Sequence, residues 1–319
     1  MEFLEHLKNK QKFHVKERDY CMTDLIGVNL KRANFKEANF KEANLERTNL
    51  IRANLEGANL EGANLKGADL LMANLERANL IRAKLEGAYL IEANLIRAKL
   101  EKACLKGAIL IGADLIEANL EKANLERANL ERANLERANL GGGNLEGARL
   151  IRANLEGANL EGANLKGADL LEAKLEKANL IRAKLEKANL VRANLIRANL
   201  ERANLEGANL ERANLERANL EGANLEGANL KGANLQEANL KGTNLQEANL
   251  QDAALYEADL QEANLYETVN LSLDQLSHVK TLHNAIIDIK LLIPLKEKYP
   301  CLFEVPEMQR SPSIKTFDL

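Results

Sequence analysis

The chain repeats one five-residue pattern over most of its length. From residue 21 to residue 265, 49 pentapeptides follow one another without an insertion, and each ends on a residue whose number is a multiple of five. We number the positions of the unit 1 to 5. Positions 1 and 2 vary, position 3 is Ala in 44 units, position 4 is mostly Asn or Asp, and position 5 is Leu in 47 units and Phe in two. Such regularity limits the backbone to a repeated path.

A period of five excludes an amphipathic helix. On an α-helix, successive Leu residues would advance by about 140° per unit and would surround the axis, so no buried stripe would form. Positions 3 and 5 are instead two residues apart, as on one face of an extended segment, and position 4 points the other way. Three extended residues and a two-residue corner can repeat only if the chain turns about a quarter circle per unit. Four units then close a square coil of 20 residues, and coils stack at the parallel-strand spacing of about 4.8 Å.

The A(N/D)LXX pattern over these 49 units resembles the pentapeptide-repeat family. The resemblance implies a right-handed quadrilateral parallel β-helix, with Leu and Ala inside and with Asn and the two variable residues facing solvent. The alternation within the unit leads to the same division between inside and outside. We therefore predict an all-β solenoid of about twelve 20-residue coils, forming a rod on the order of 60 Å long.

A stacked β-helix leaves an open ladder and a leucine layer at each end, so both ends need covers. We predict a short helical cap at residues 1–20, the β-helix at residues 21–270, a helical cap at residues 271–305 and a loose tail at residues 306–319.

The carboxy-terminal cap is predicted from its residues and from a resemblance. Ser272 and Gln275 have the spacing of a capping box, which indicates the start of a helix. The segment resembles the helical caps of cyanobacterial pentapeptide-repeat proteins, whose second helix usually begins Asp-Pro-Glu. Here Asp288-Ile289-Lys290 stands at that place, and Pro294 falls inside the expected helix, where it should cause a kink.

No pattern in the chain indicates catalysis, a cofactor or a metal. The four His residues lie outside the repeat and the three Cys residues are scattered, so neither type has the spacing of metal ligands. There is no glycine-rich phosphate loop and no nucleophile elbow. The carboxylates recur because the unit recurs, and we interpret them as a solubilising surface. We therefore expect a non-enzymatic protein without cofactor or metal.

Composition indicates a cytoplasmic protein. The net charge of −3 gives no support for direct binding to nucleic acid or to a membrane surface. No segment approaches the roughly 18 apolar residues of a membrane span, and the polar first residues lack the apolar core of a secretory signal. The scattered Cys residues are expected to be reduced thiols.

Two irregular units leave alternatives open. The unit GGGNL at residues 141–145 is either a slightly irregular coil or a hinge or docking notch. Cys104 stands at position 4, one coil above Lys84. A neighbouring ammonium could lower the pKa of this thiol, and the alternative is an unremarkable surface thiol.

Position 1 contains a long aliphatic column. Because residues 20 apart stack in a square coil, every fourth unit contributes to the same side of the rod. In one column, seven of the eight residues from 51 to 191 are aliphatic and the eighth is Glu131; three Ile residues one corner over widen it. We call these residues the aliphatic stripe: Ile51, Leu71, Ile91, Ile96, Ile111, Ile116, Ile151, Leu171, Val191 and Ile196.

The aliphatic stripe has two interpretations. A continuous apolar strip is typical of an interface, here for a protein partner or for a second copy of the chain as a homodimer. The alternative is that β-branched residues simply suit exposed extended segments. Residues 51–100 match residues 151–200 at 42 of 50 positions, so duplication could have copied half of the stripe.

Charge distinguishes the last third of the rod. Residues 201–270 hold 13 acidic and 5 basic residues, a net of −8. Quinolone-resistance and mycobacterial gyrase-protecting members of the family are acidic rods that mimic DNA and bind topoisomerase. The resemblance thus offers an alternative function, a DNA mimic that inhibits or protects gyrase. Because Arg and Lys are mixed along most of this rod, the leading hypothesis is a structural protein-interaction solenoid presenting the stripe and the acidic third to protein partners.

Overall fold

A computed structural model of the chain describes residues 19–305. From Asp19 onward, position 4 of each unit forms a single-residue parallel bridge with the residue 20 positions later, beginning with Asp19–Asn39 and continuing to Asn249–Val269. Pairing passes over Ala254 and resumes at a spacing of 22 residues with Asp259–Thr281 and Asn264–Ile286. Positions 1 and 2 form a turn in every unit. A turn every five residues and pairing every twenty give a four-sided parallel coil, as the period predicts.

Neighbouring coils are joined by three backbone hydrogen bonds per unit. The N–H groups of positions 5 and 2 donate to carbonyls 19 residues later, as from Leu95 to Asp114 at 2.7 Å, and that of position 4 donates 21 residues back, as from Asn94 to Ala73 at 3.0 Å. The position 3 N–H closes the corner by donating to the carbonyl three residues earlier. Four of the five N–H groups are therefore bonded within the backbone.

The fifth N–H explains why position 4 is Asn although it faces outward. The position 1 N–H donates to the Asn side chain two residues earlier, as from Ile96 to Asn94 Oδ1 at 3.1 Å. The same Asn94 donates its Nδ2 to Asn74 Oδ1 in the preceding coil, also at 3.1 Å. One side chain thus satisfies the corner and links two coils, and stacked Asn residues form a ladder along each side of the rod.

Position 2 has a left-handed backbone. Arg152 has φ +57° and Glu172 has φ +55°, and the same region is occupied by Gly142 with φ +61°. Gly adopts this conformation without the steric cost that a Cβ carries, which accounts for the many Gly residues at position 2. The unit pattern predicts a corner here but not its left-handed backbone.

The core confirms the predicted division between inside and outside. Leu at position 5 and Ala at position 3 are almost fully buried throughout the rod. The amino-terminal end of this core is aromatic: the Tyr20 ring stacks on Phe40 with centroids 4.7 Å apart, and Phe35 packs edge-on against Phe40 at 5.0 Å. These three rings lie at the inward position of the first two coils.

The glycine-rich unit at residues 141–145 keeps the pattern of its neighbours. Gly143 donates to the carbonyl of Leu140 at 2.9 Å, and Asn164 donates to the carbonyl of Gly143 at 2.9 Å. The ladder therefore passes through this unit without a break, which favours the slightly irregular coil over the hinge.

The first helix after the rod, α1 (Leu273–Ser277), covers one side of the last coil. Its predicted capping box is confirmed: Gln275 N donates to Ser272 Oγ at 3.2 Å, and Ser272 N donates to Gln275 Oε1 at 3.0 Å. Gln275 Nε2 also donates to the carbonyls of Leu250 at 2.8 Å and Ala253 at 2.9 Å. A side-chain amide thus takes the place of the next coil.

A second helix, α2 (Ile289–Lys298), and a 3₁₀ turn (Pro300–Phe303) complete this end. Leu295 of α2 is buried, and Pro294 lies within the helix, as the sequence indicates. The Asp288 side chain does not cap α2, but accepts a hydrogen bond from Glu267 N at 3.4 Å. Except for Asp19 and Tyr20, the predicted amino-terminal cap lies outside the described residues, as does the predicted tail.

The Asn ladder yields a stability prediction from the duplicated halves. Lys99 stands at position 4 where the duplicate has Asn199, whose Oδ1 accepts hydrogen bonds from Glu201 N and Asn219 Nδ2, both at 3.1 Å. Since Lys has no acceptor, Lys99→Asn should raise the free energy of unfolding by about 1 kcal/mol, and Asn199→Lys should lower it by about 1–2 kcal/mol. Urea unfolding followed by circular dichroism measures both. Equal midpoints for the two variants and the original chain would contradict the proposed role of Asn.

Candidate protein-interaction surface

The structure places the members of the aliphatic stripe in consecutive coils on one side of the rod. Met72 N donates to the carbonyl of Ile91, and Glu92 N donates to the carbonyl of Ile111, so Leu71, Ile91 and Ile111 follow one another along the ladder. All ten side chains are half-buried. Their neighbours in adjacent coils shield part of each side chain, and the remainder faces solvent.

Three further residues widen the stripe in its first half. Tyr89 and Ile109 occupy position 4 and form a bridging pair, each two residues before a stripe member, and Met72 follows Leu71 at position 2. Tyr89 is 45% exposed and Met72 is 40% exposed. Sorting the sequence by position 1 alone misses all three residues. The signal that could have found Tyr89 and Ile109 is that both replace the usual Asn of position 4 in successive coils.

An ion pair interrupts the stripe near its middle. Glu131 occupies the column between Ile111 and Ile151, and its carboxylate lies 3.7 Å from Arg149 Nη2. Arg149 is at position 4, two residues before Ile151, so the pair stays on the same side of the rod. The stripe is thus two apolar segments separated by one paired charge.

Ion pairs at position 2 line the stripe. Arg152 Nε donates to Glu172 at 2.7 Å, Arg192 lies 3.5 Å from the same carboxylate, and Arg97 Nε donates to Glu117 at 2.7 Å. Hydrogen bonding to Arg152, together with its charge, holds the pKa of Glu172 below its usual range, so this carboxyl stays ionised. An apolar centre with a charged border is the usual anatomy of a protein interface.

The acidic third has a different surface. Arg217 donates to Glu237 at 2.7 Å. Beyond this pair, exposed carboxylates occupy position 2 on successive sides of the rod. They are Glu247, Asp252, Glu257, Glu262 and Glu267.

Cys104 does not behave as an activated thiol. Burial, opposed in part by a hydrogen bond from the Lys106 backbone N–H, raises the pKa of the Cys104 thiol. The pKa is therefore raised and not lowered, because desolvation exceeds the lowering effect of the Lys66 ammonium, and this favours the alternative of an unremarkable thiol. Cys104 is a half-buried free thiol that fills a place in the Asn ladder.

Within residues 19–305 there is no group of three or more His, Cys, Asp or Glu side chains arranged to hold a metal ion. None of the helices in that part of the chain has the length and apolar character needed to cross a membrane. An open groove of about 690 Å³ lies at the carboxy-terminal cap, lined in part by Tyr266, Val269 and Ile289.

Known proteins share the repeat and its fold. The family model for pentapeptide repeats matches eight copies in segments from residue 23 to residue 269. No curated protein matches the sequence. A similar solved structure is the crystal structure of HetL, whose sequence is 30% identical to this chain. HetL is a pentapeptide repeat protein involved in heterocyst differentiation regulation in the cyanobacterium Nostoc sp. strain PCC 7120. The match covers 82% of this chain and 95% of HetL, with a TM-score of 0.51.

Two other solved structures are similar in sequence or coverage. The pentapeptide repeat protein Rfr23 from the cyanobacterium Cyanothece 51142 is 30% identical over 50% of this chain and 93% of its own, with a TM-score of 0.16. QnrB1, a plasmid-mediated fluoroquinolone resistance protein, is 16% identical over 86% of this chain and 94% of its own, with a TM-score of 0.26. Proteins with these repeats fold as right-handed quadrilateral β-helices, in agreement with the four-sided parallel coil described above. The chain belongs to the pentapeptide-repeat family.

Proposed function

We propose that the protein is a non-enzymatic interaction solenoid and that the aliphatic stripe is its contact surface for a protein partner. The observation that carries the proposal is a column of partly exposed aliphatic side chains on a surface built mostly from polar and charged residues. The exposed apolar surface of these aligned side chains is removed from water only when a partner covers it.

The geometry and the family both support this function. The stripe is bordered by ion pairs such as Arg152–Glu172, which suit the edge of an interface. Pentapeptide-repeat proteins are generally structural or interaction proteins, and the similar HetL is involved in regulation. We infer a regulatory or structural contact rather than a chemical reaction.

We also propose how the chain is divided into a rod, its caps and a tail. We take residues 21–270 as a rod of about twelve coils, residues 271–305 as its helical cap, and residues 1–20 and 306–319 as a second cap and a tail. We place the protein in the cytoplasm. The free thiols of Cys21, Cys104 and Cys301 support this location.

The alternative function, a DNA mimic that acts on gyrase, depends on the acidic third. Its exposed carboxylates favour it, but an acidic surface of this kind also keeps a rod soluble. Along the stripe, carboxylates such as Glu117 and Glu172 are paired with Arg, so they do not form an unbroken anionic face. We therefore assign the contact to the stripe.

The first test introduces charge into the stripe. Ile91→Glu combined with Ile111→Glu should leave the β-sheet signal in circular dichroism intact, because position 1 is outside the core. It should reduce capture of the partner at least tenfold, since about 1.4 kcal/mol per factor of ten is readily lost when an interface must bury two carboxylates. The measurement is affinity capture from the native cell with identification by mass spectrometry, followed by binding to the purified partner.

The chain offers a matched control on the opposite side of the rod. Ile81 and Ile181 also occupy position 1, half a coil from the stripe. Ile81→Glu with Ile181→Glu adds the same charge at the same position, and it should leave capture unchanged. Equal capture by both double variants and the original chain would mean that the stripe reflects only the preference of extended segments.

A second prediction uses the period of the coil. Deleting residues 131–150 removes one whole coil and brings Ile151 directly above Ile111, so the stripe becomes continuous and capture should be retained. Deleting residues 131–140 removes half a coil and moves Ile151 to the opposite side, so a partner that spans both segments should be lost. Both variants keep the five-residue pattern and should fold, which circular dichroism checks. If the half-coil deletion captures the partner as well as the whole-coil deletion does, the two segments do not act as one surface.

A further inference from the structure

We propose that the partner of the aliphatic stripe is a second copy of this chain, packed antiparallel with the two-fold axis at Glu131. This inference rests on the proposed function and names its partner. The spacing of the stripe, the distribution of charge along the rod and the position of the Glu131–Arg149 pair all favour this arrangement.

The spacing of the stripe favours a second rod over a helix. Successive members, such as Leu71, Ile91 and Ile111, are one coil apart, at the ladder spacing of about 4.8 Å. A partner helix presents side chains on one face about every 5.4 Å, which is longer than the coil spacing. Over five coils its side chains therefore shift by about half a coil spacing relative to the stripe. A second copy has the same repeat, and its aliphatic side chains stay in step with the first along the whole stripe.

The charge distribution selects the antiparallel arrangement. Residues 201–270 carry a net charge of −8. In a parallel dimer these two acidic segments would lie side by side, within or near a Debye length of about 8–10 Å. An antiparallel dimer places them at opposite ends of the assembly, and a two-fold axis perpendicular to the rods relates the two stripes.

The position of Glu131 selects the register. With the axis at Glu131, Ile111 faces Ile151, Ile91 faces Leu171 and Leu71 faces Val191, so each aliphatic residue from 71 to 191 in the main column meets another. The two Glu131 side chains meet at the axis, where each is already paired with Arg149 at 3.7 Å. The central charges are therefore compensated before the two copies associate.

The first measurement is the mass in solution by light scattering. The original chain should have twice the mass of one 35.3-kDa chain. Glu131→Lys places two like charges at the axis and leaves Arg149 without its carboxylate, so the mass should fall to that of one chain. Glu131→Ile completes the stripe and should give a dimer that resists dilution better than the original. The control is Glu121→Lys at the same position of the unit on the opposite side of the rod, which should remain dimeric.

Crosslinking then tests the direction and register. In a background in which Cys21, Cys104 and Cys301 are Ser, Glu131→Cys should give crosslinked dimers with a short bis-maleimide, because the two positions meet at the axis. Leu71→Cys alone should give none, because its two copies lie six coil steps apart, or about 29 Å. Leu71→Cys combined with Val191→Cys should crosslink again. Circular dichroism of each variant confirms that the rod is intact.

Each other outcome overturns the inference in a recognisable way. Crosslinking of Leu71→Cys alone shows a parallel dimer, and a dimer that survives Glu131→Lys uses another surface. A monomeric original chain that still loses its partner through Ile91→Glu and Ile111→Glu overturns the second copy as the occupant while the proposed function stands. A monomer whose partner capture is also unaffected by those changes overturns both.

Discussion

The hydrogen bond at each corner is the interaction on which the rest of the structure depends. Three of the five N–H groups in a unit find backbone acceptors because coils stack and a fourth closes the corner, but the group that enters the turn has no backbone acceptor. The Asn side chain two residues earlier accepts that bond, as Asn94 does for Ile96, and the same amide donates to Asn74 of the preceding coil. Since the corner then recurs every five residues, the direction of each Leu, Ala and variable side chain is set at the same time.

This constraint explains how the rod carries information on its surface. Positions 3, 4 and 5 maintain the fold, so positions 1 and 2 are free to vary without disturbing the core. Any residue placed at position 1 is held at a fixed height and on a fixed side, as Ile91 and Ile111 are. The stripe, its ion-paired border and the interruption at Glu131 are therefore surface patterns. They can be followed in the sequence because residues 20 apart are neighbours on one side of the rod. Three of the places where position 4 departs from Asn, at Tyr89, Ile109 and Arg149, lie beside this stripe.

Much of the fold follows from the sequence because the period and the hydrophobic pattern agree. The four-sided coil, the burial of Leu and Ala and the capping box at Ser272 all follow from local spacing. The left-handed backbone at position 2 does not, because Arg, Glu and Gly alternate there and only the three-dimensional corner forces φ to be positive. The surface was incompletely predicted for a similar reason. Position 1 gives the stripe, whereas Tyr89 and Met72 join it only through neighbouring columns whose adjacency depends on the shape of the corner.

The amide of Gln275 has a consequence for the size of the molecule. It donates to the carbonyls of Leu250 and Ala253, and the Ala253 carbonyl is one that the position 4 N–H of a further coil would otherwise reach. A parallel stack with such groups free is a template on which another chain can add its own coil, and repetition of that step produces a fibre. A single side chain in a five-residue helix thus helps to limit the rod to a defined length and to prevent the addition of further chains.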